Sequence, residues 1–120
     1  MDVIPMDNSS EWVSKIKTSH ASPFYQSVWL AMLNIPKGKI TTYGEIARAI
    51  GNPNASRAIG GACNQNLFAP DVPCHRVIAS DGKLGGYAHG SAKKIALLKK
   101  EGVRVENDRV VNFDSVLHRF

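Results

Sequence analysis

The chain of 120 residues suffices for one domain with a modest core, and its 43% hydrophobic and 21% charged residues are those of an ordinary globular protein. No apolar run approaches the ~20 residues that span a bilayer. The opening MDVIPMDNSSEW lacks the pattern of a secretory leader, and Cys63 and Cys74, with four scattered histidines, make neither a disulfide framework nor a zinc site, so a cytoplasmic protein without metal is expected.

A net charge of +5 favours a polyanionic partner such as DNA, because lysine and arginine release counterions from phosphates. Residues 1–22 read as a short tail carrying a small helix around SEWVSKIK. A helix begins at Ser22-Pro23, a capping residue followed by proline at the first helical position. Phe24, Val28, Ala31, Met32 and Ile35 recur at helical spacing and define its inner face. IPKGK ends it.

TTYGEIARAI predicts a second, short helix, capped by Thr41 or Thr42, with Glu45 three residues beyond Thr42 as in a capping box. GNPN makes a tight turn into a third helix over ASRAIGGACNQN. Two short helices about such a turn fit a helix-turn-helix, as they would any αα-hairpin. On the third helix Ala58, Ile59, Ala62 and Cys63 are expected inside. Ala55, Ser56, Arg57, Gly60 and Gly61 form the other face, small except for one long cation. Each mid-helix glycine costs about 1 kcal/mol relative to alanine, which points to a packing or binding requirement.

RVIASDGKLGGY alternates around Ser80-Asp81-Gly82 and predicts a β-hairpin. SAKKIALLKKEG is a helix with Ile95, Leu97 and Leu98 inward and Gly102 as its stop. VRVENDRVVNF reads as a last small hairpin. The whole is an α+β fold: a small, α-rich, winged-helix-like domain with a helix-turn-helix and short β-hairpins.

In Pro73-Cys74-His75-Arg76-Val77 a soft nucleophile stands beside a base. An imidazole or cation nearby lowers a thiol's pKa and favours the reactive thiolate. Neighbours on an extended strand point oppositely, so a bridging water would carry the proton from Cys74 to His75. The pair alone is equally that of a buried, inert cysteine packed as a small hydrophobe.

PCHRV followed by SDGKLGGY resembles the active-site region of the O6-alkylguanine-DNA alkyltransferases. TTYGEIA, NASRAIGGA, Asn66, GGY and KKIALLKKEG occur in that family's order and spacing, so the resemblance covers residues 23 to 102. It implies a single-use repair protein that extrudes O6-alkylguanine from double-stranded DNA, approached through the minor groove. The alkyl group passes irreversibly to a cysteine, without a cofactor. Cys74 matches the acceptor, His75 the base acting through water, and Glu101 the acid that orients the histidine. Tyr43 matches the tyrosine that turns the target phosphate and helps protonate the leaving base. Arg57 matches the finger that fills the vacated stack, and Asn66 the hinge asparagine. Tyr87 falls in the pocket loop, with Ala88, His89 and Val77 expected to line the same pocket. Thr42, Ala55, Ser56, Gly60 and Gly61 are expected at the DNA. The resemblance also implies a monomer, associated with the nucleoid when on DNA.

Departures are visible. Only about 22 residues precede the matched region, where a separate domain is usual, so residues 1–22 read as a short tail or a vestigial extension to the domain at 23–120, and the chain as either one with a vestigial first domain or a short form. Leu67 stands for a frequent proline, Ala88 for a frequent serine, and His89 for a small residue. Two other readings remain: an alkyltransferase-like damage binder, a type that lacks the cysteine, and a small winged-helix regulator. The small outward face of the third helix is poor material for reading base edges and better suited to close minor-groove approach.

Overall fold

In the computed structural model, which describes residues 10–120, the chain runs α1 (Ser10–Lys17), α2 (Pro23–Met32), β1 (Thr41–Thr42), α3 (Tyr43–Ala49) and α4 (Ser56–Asn64). A 3₁₀ turn (Cys74–Arg76), β2 (Val77–Ile78), α5 (Ser91–Lys100), β3 (Val105–Glu106), β4 (Arg109–Val110) and α6 (Phe113–Val116) follow. The expected tail falls, at residues 1–9, outside the described residues, and the helix around SEWVSKIK is α1.

Helix starts follow local chemistry. The Ser22 hydroxyl accepts from the Tyr25 N–H at 3.1 Å and Pro23 opens α2. Of the two threonines, Thr42 is the cap, accepting from the Glu45 N–H at 3.1 Å. The reciprocal half of the capping box is not made. The Glu45 carboxylate instead pairs with Arg48 one turn on and with Arg119, 3.3 Å away. Gly102, at φ +90°, ends α5 as expected.

α2 buries Val28, Ala31 and Met32, with Ile35 just beyond, while Phe24 is only half-buried. Trp29, absent from the expected face, is also buried, and its indole N–H donates to the Ala62 carbonyl at 2.9 Å. It thereby fastens α2 to α4 and satisfies a carbonyl in the last turn of α4. The inner face of α4 is Ala55, Ile59, Ala62 and Cys63; Ala58, expected inside, is exposed. The helix begins at Ser56, so Ala55 sits one turn before Ile59 on the buried side.

The hairpin expected over RVIASDGKLGGY, residues 76–87, is not formed. The turn exists, with Gly82 N–H on Ala79 O and Ala79 N–H on Lys83 O, both at 3.0 Å. Val77 and Ile78, however, pair in parallel with Thr41 and Thr42. The arm after the turn goes to the far end of the chain: Lys83 bridges Arg109, and Leu84 N–H donates to Asp108 O at 3.1 Å. Both Val77 and Ile78 are fully buried, so β2 is a short interior strand rather than a half-exposed one. The last hairpin is as predicted, β3 and β4 closing around Asn107-Asp108, both at positive φ. Residues 116–118 flank β1 on its other edge, with Ile40 N–H on Val116 O at 2.9 Å.

Two apolar clusters result. One joins α1 to α4 with Val72, Cys74 and Val77; the other gathers Ile40, Ile78, Leu84, Leu98, Val103 and Val110. The strand pair β1–β2 lies on their seam. None of the described helices is long and apolar enough to cross a membrane.

Candidate active site

Cys74 sits at that seam. It is the first residue of the 3₁₀ turn, with its N–H on Val72 O at 2.9 Å and Arg76 N–H on Pro73 O at 3.0 Å. The segment is therefore not extended, and the strand rule that would turn Cys74 and His75 to opposite faces does not apply. Cys74 is 3% exposed and His75 1%.

His75 is held from one side. Its Nε2–H donates to Glu101 Oε2 at 3.1 Å, while Nδ1 is buried without a partner among the described residues. Glu101 caps the C-terminal end of α5, where its charge opposes the helix dipole. Arg76 offsets this with a fork: Nε on Oε1 at 2.9 Å and Nη2 on Oε2 at 2.6 Å. Its remaining Nη1 donates to Ile35 O at 2.8 Å, anchoring the fork to the chain beyond α2. Desolvation raises the Glu101 carboxyl, but the hydrogen bonds from Arg76 and His75 outweigh it and hold it below its ordinary value. Burial holds the His75 imidazole below its ordinary value against the pull of Glu101, so the ring is a neutral base. Arg76 was not singled out in the sequence, although it stands within PCHRV.

Asn66 spans the link between α4 and the cysteine. Its amide donates to Val72 O at 2.7 Å, and its carbonyl accepts from Phe68 N–H at 2.9 Å. Burial pushes the Cys74 thiol up from its ordinary value, opposed by the Asn66 amide and by the positive charge of Lys94. The resting sulfur is thus a protonated thiol with thiolate-stabilising groups already beside it. Burial, with the charges of both cysteines, pushes the Tyr43 hydroxyl up to about 12, and burial with Cys74 does the same to Tyr87, also about 12. Both phenols remain proton donors near neutral pH.

Tyr43 reaches the loop that carries Tyr87. A Cβ at Gly85 (φ +69°) would lie 3.1 Å from its hydroxyl, so only glycine lets the two approach this closely. Tyr87 stacks edge-on with His89, ring centres 5.3 Å apart. Ala88 and His89 are exposed, whereas Val77 is fully buried and lines no open pocket.

The outward face of α4 is Ser56, Arg57 and Ala58, all exposed, with Gly60 beside them. A Cβ at Gly60 would meet nothing within 4 Å, and one at Gly61 only the Tyr25 hydroxyl at 3.5 Å. Packing among the described residues does not demand Gly60. Two residues expected on this face are elsewhere. Ala55 is in the core, and Thr42 is 5% exposed with its hydroxyl committed to capping α3.

The family described as "6-O-methylguanine DNA methyltransferase, DNA binding domain" matches residues 23–103. A methylated-DNA–protein-cysteine methyltransferase of Methanosarcina acetivorans is 60% identical over 79 residues, covering 66% of this chain and 51% of that protein. The Escherichia coli bifunctional transcriptional activator/DNA repair enzyme Ada is 45% identical over 83 residues, 69% of this chain and 23% of its own. The chain spans about half the length of the first curated relatives it matches. Among solved structures, Mycobacterium tuberculosis OGT in complex with DNA superposes with a TM-score of 0.68 at 51% identity, covering 69% of this chain and 51% of that one. Atl1 of S. pombe, in complex with damaged DNA containing O6-carboxymethylguanine, superposes at 0.75 and 31% identity, covering 85% of this chain and 100% of that one.

Proposed function

The chain belongs to the 6-O-methylguanine DNA methyltransferase family, and from that premise we propose that it repairs DNA by moving the alkyl group of O6-alkylguanine onto Cys74. The observation that carries this reading is the His75 ring, fixed at Nε2 by the Arg76-clamped Glu101 and left with a free lone pair at Nδ1 next to the cysteine in sequence.

The chemistry balances. His75 Nδ1 takes the thiol proton through a water, and Cys74 Sγ attacks the alkyl carbon from behind the C–O bond. A sulfur–carbon bond forms, the carbon–oxygen bond breaks, and guanine leaves with the electron pair. The Tyr43 hydroxyl, still protonated at neutral pH, supplies the proton to the base and recovers one from solvent. A thioether has no easily hydrolysed bond, so each molecule acts once, and no cofactor takes part.

A cysteine that is only 3% exposed cannot reach a base inside a duplex, so the nucleotide must be extruded. Arg57 enters the stack from the minor groove, and the small face of Ser56, Ala58 and Gly60 lets the α4 backbone approach. Asn66 couples that helix to the cysteine, and Tyr87 borders the pocket with Ala88 and His89. The domain occupies residues 23–120 and works as a monomer in the cytoplasm, on the nucleoid when bound. The preceding α1 packs on it through the fully buried Ile16.

One observation favours a second reading. Atl1, solved on damaged DNA, is matched over its whole length at 31% identity. That reading makes this chain a damage binder without transfer. Incubating wild type with a duplex containing O6-methylguanine, then measuring intact mass and mapping peptides, separates the two. Transfer adds one methyl group at Cys74. Binding without any gain in mass would overturn it.

A further inference from the structure

Lys94 is the one lysine of α5 turned fully into the interior, with 0% exposure, on a helix whose other lysines are exposed. A buried lysine without a carboxylate partner is rare. Among the described residues no carboxylate pairs with it. Its Nζ instead donates to three backbone carbonyls: Val77 at 2.7 Å, Leu84 at 2.6 Å and Gly86 at 3.1 Å. An ammonium has three N–H donors and no acceptor, so three carbonyls match the charged form.

These carbonyls are informative by position. Val77 follows the Cys74–Arg76 turn directly. Leu84 and Gly86 belong to the irregular segment that leads to Tyr87, where no strand ladder is available to satisfy them. That segment is held between two helices, with Tyr43 of α3 against Gly85 on one side and Lys94 of α5 on the other. The charged or ionisable groups that act on Lys94 are Cys63 of α4, Cys74, and Asp108 of the β3–β4 turn; its charge in turn acts on His75.

We propose that Lys94 is a positioning residue for the Cys74 pocket: its caged ammonium ties the Leu84–Tyr87 segment to the cysteine turn and holds a fixed positive charge beside the sulfur. The inference rests on the alkyl-transfer reading for its consequence, not for its geometry. A leucine or methionine at this helix position would fill the same volume but leave three carbonyls unmet. Burial lowers the Lys94 ammonium to about 8, so it is charged at neutral pH and the clamp weakens in mild alkali.

The test uses wild type, Lys94→Met and Lys94→Gln. In wild type, nitrogen-15 spectra of lysine should show one slowly exchanging NH₃⁺ signal, lost in both variants. A fast-exchanging or neutral amine would overturn the cage. Carboxamidomethylation of Cys74 by iodoacetamide, mapped by peptide and followed against pH, should show its midpoint moved upward in both variants. Methyl transfer from an O6-methylguanine duplex should slow roughly 10- to 100-fold, as for a reacting group misplaced by about 1 Å, with affinity for undamaged duplex kept. Should Lys94→Met not fold, Lys94→Gln and the wild-type spectrum still decide. A folded variant with wild-type thiol profile and transfer rate would overturn the proposal. If wild type itself transfers nothing, alkyl transfer fails while the iodoacetamide profile still judges Lys94.

Discussion

The two working regions are built in opposite ways. Around Cys74 nearly every polar atom is already engaged: Glu101 by Arg76 and His75, Asn66 by Val72 and Phe68, Lys94 by three carbonyls. On the outer face of α4, Ser56, Arg57 and Ala58 stand exposed and Gly60 faces open space. The first region carries its order within the chain, so its chemistry is visible without a ligand. The second is smooth and gains definition only against a partner. Preorganisation belongs where charge develops, and a bare helix belongs where another backbone must approach.

The sharpest way to divide them is Cys74→Ala. Methyl transfer should vanish while damaged duplex is still bound, seen as no mass gain beside an unchanged mobility shift. Loss of binding as well would mean that the two regions are not separable.

Glu101→Gln should act on the wired region alone, slowing transfer by about 10²-fold, at the low end for a positioned acid–base group. It also has a sign in pH. Glu101 and His75 both sit below their ordinary values, so the unfolded chain binds more protons than the folded one and stability rises with pH. The contribution is complete above the unfolded values, ~6.5 for histidine and ~4.3 for glutamate, and is lost as pH falls, histidine's share first. Denaturant melts of wild type and variant should therefore converge in the acid range. A wild-type stability that fell as pH rose through the acid range would contradict the assigned directions.

Arg57→Ala should act on the bare face alone. Transfer from duplex should slow about tenfold, a fraction of the few kcal/mol that unstacking costs, while undamaged duplex loses little affinity. Equal losses would make Arg57 an ordinary phosphate contact. The smallest expected effect is Gly60→Ala. Nothing among the described residues obstructs the methyl, so stability should rise by up to ~1 kcal/mol in a thermal melt as duplex affinity falls. A stabilised variant with undiminished affinity would remove the case for close approach at this glycine.

Local rules reached far into this molecule. Ser22, Pro23, Thr42 and Gly102 sit where capping chemistry puts them, and periodicity found Val28, Met32, Ile59 and Leu98. The hairpin at 76–87 was misread because alternation cannot tell which strand will pair with Val77; the answer, Thr41, lies 36 positions earlier. Lys94 was unreadable because a lysine among lysines on an amphipathic helix looks solvated until the loop that needs it is folded beside it. Ala55 and Ala58 exchanged faces because the start of the helix fixes its phase. The resemblance pointed to Cys74 and His75 through PCHRV and to Glu101 through KKEG, but not to the fork by which Arg76 holds the glutamate.

The parallel pairing of Thr41–Thr42 with Val77–Ile78 has a further consequence, for synthesis. Such non-local contacts must wait for the intervening chain. Glu101 comes later still, and residues 116–118 cover the other edge of β1. On the ribosome, a chain emerging from its N-terminal end presents Cys74 well before Glu101 and residues 116–118. The thiol is then an unremarkable one, and arming it is among the last events of biogenesis.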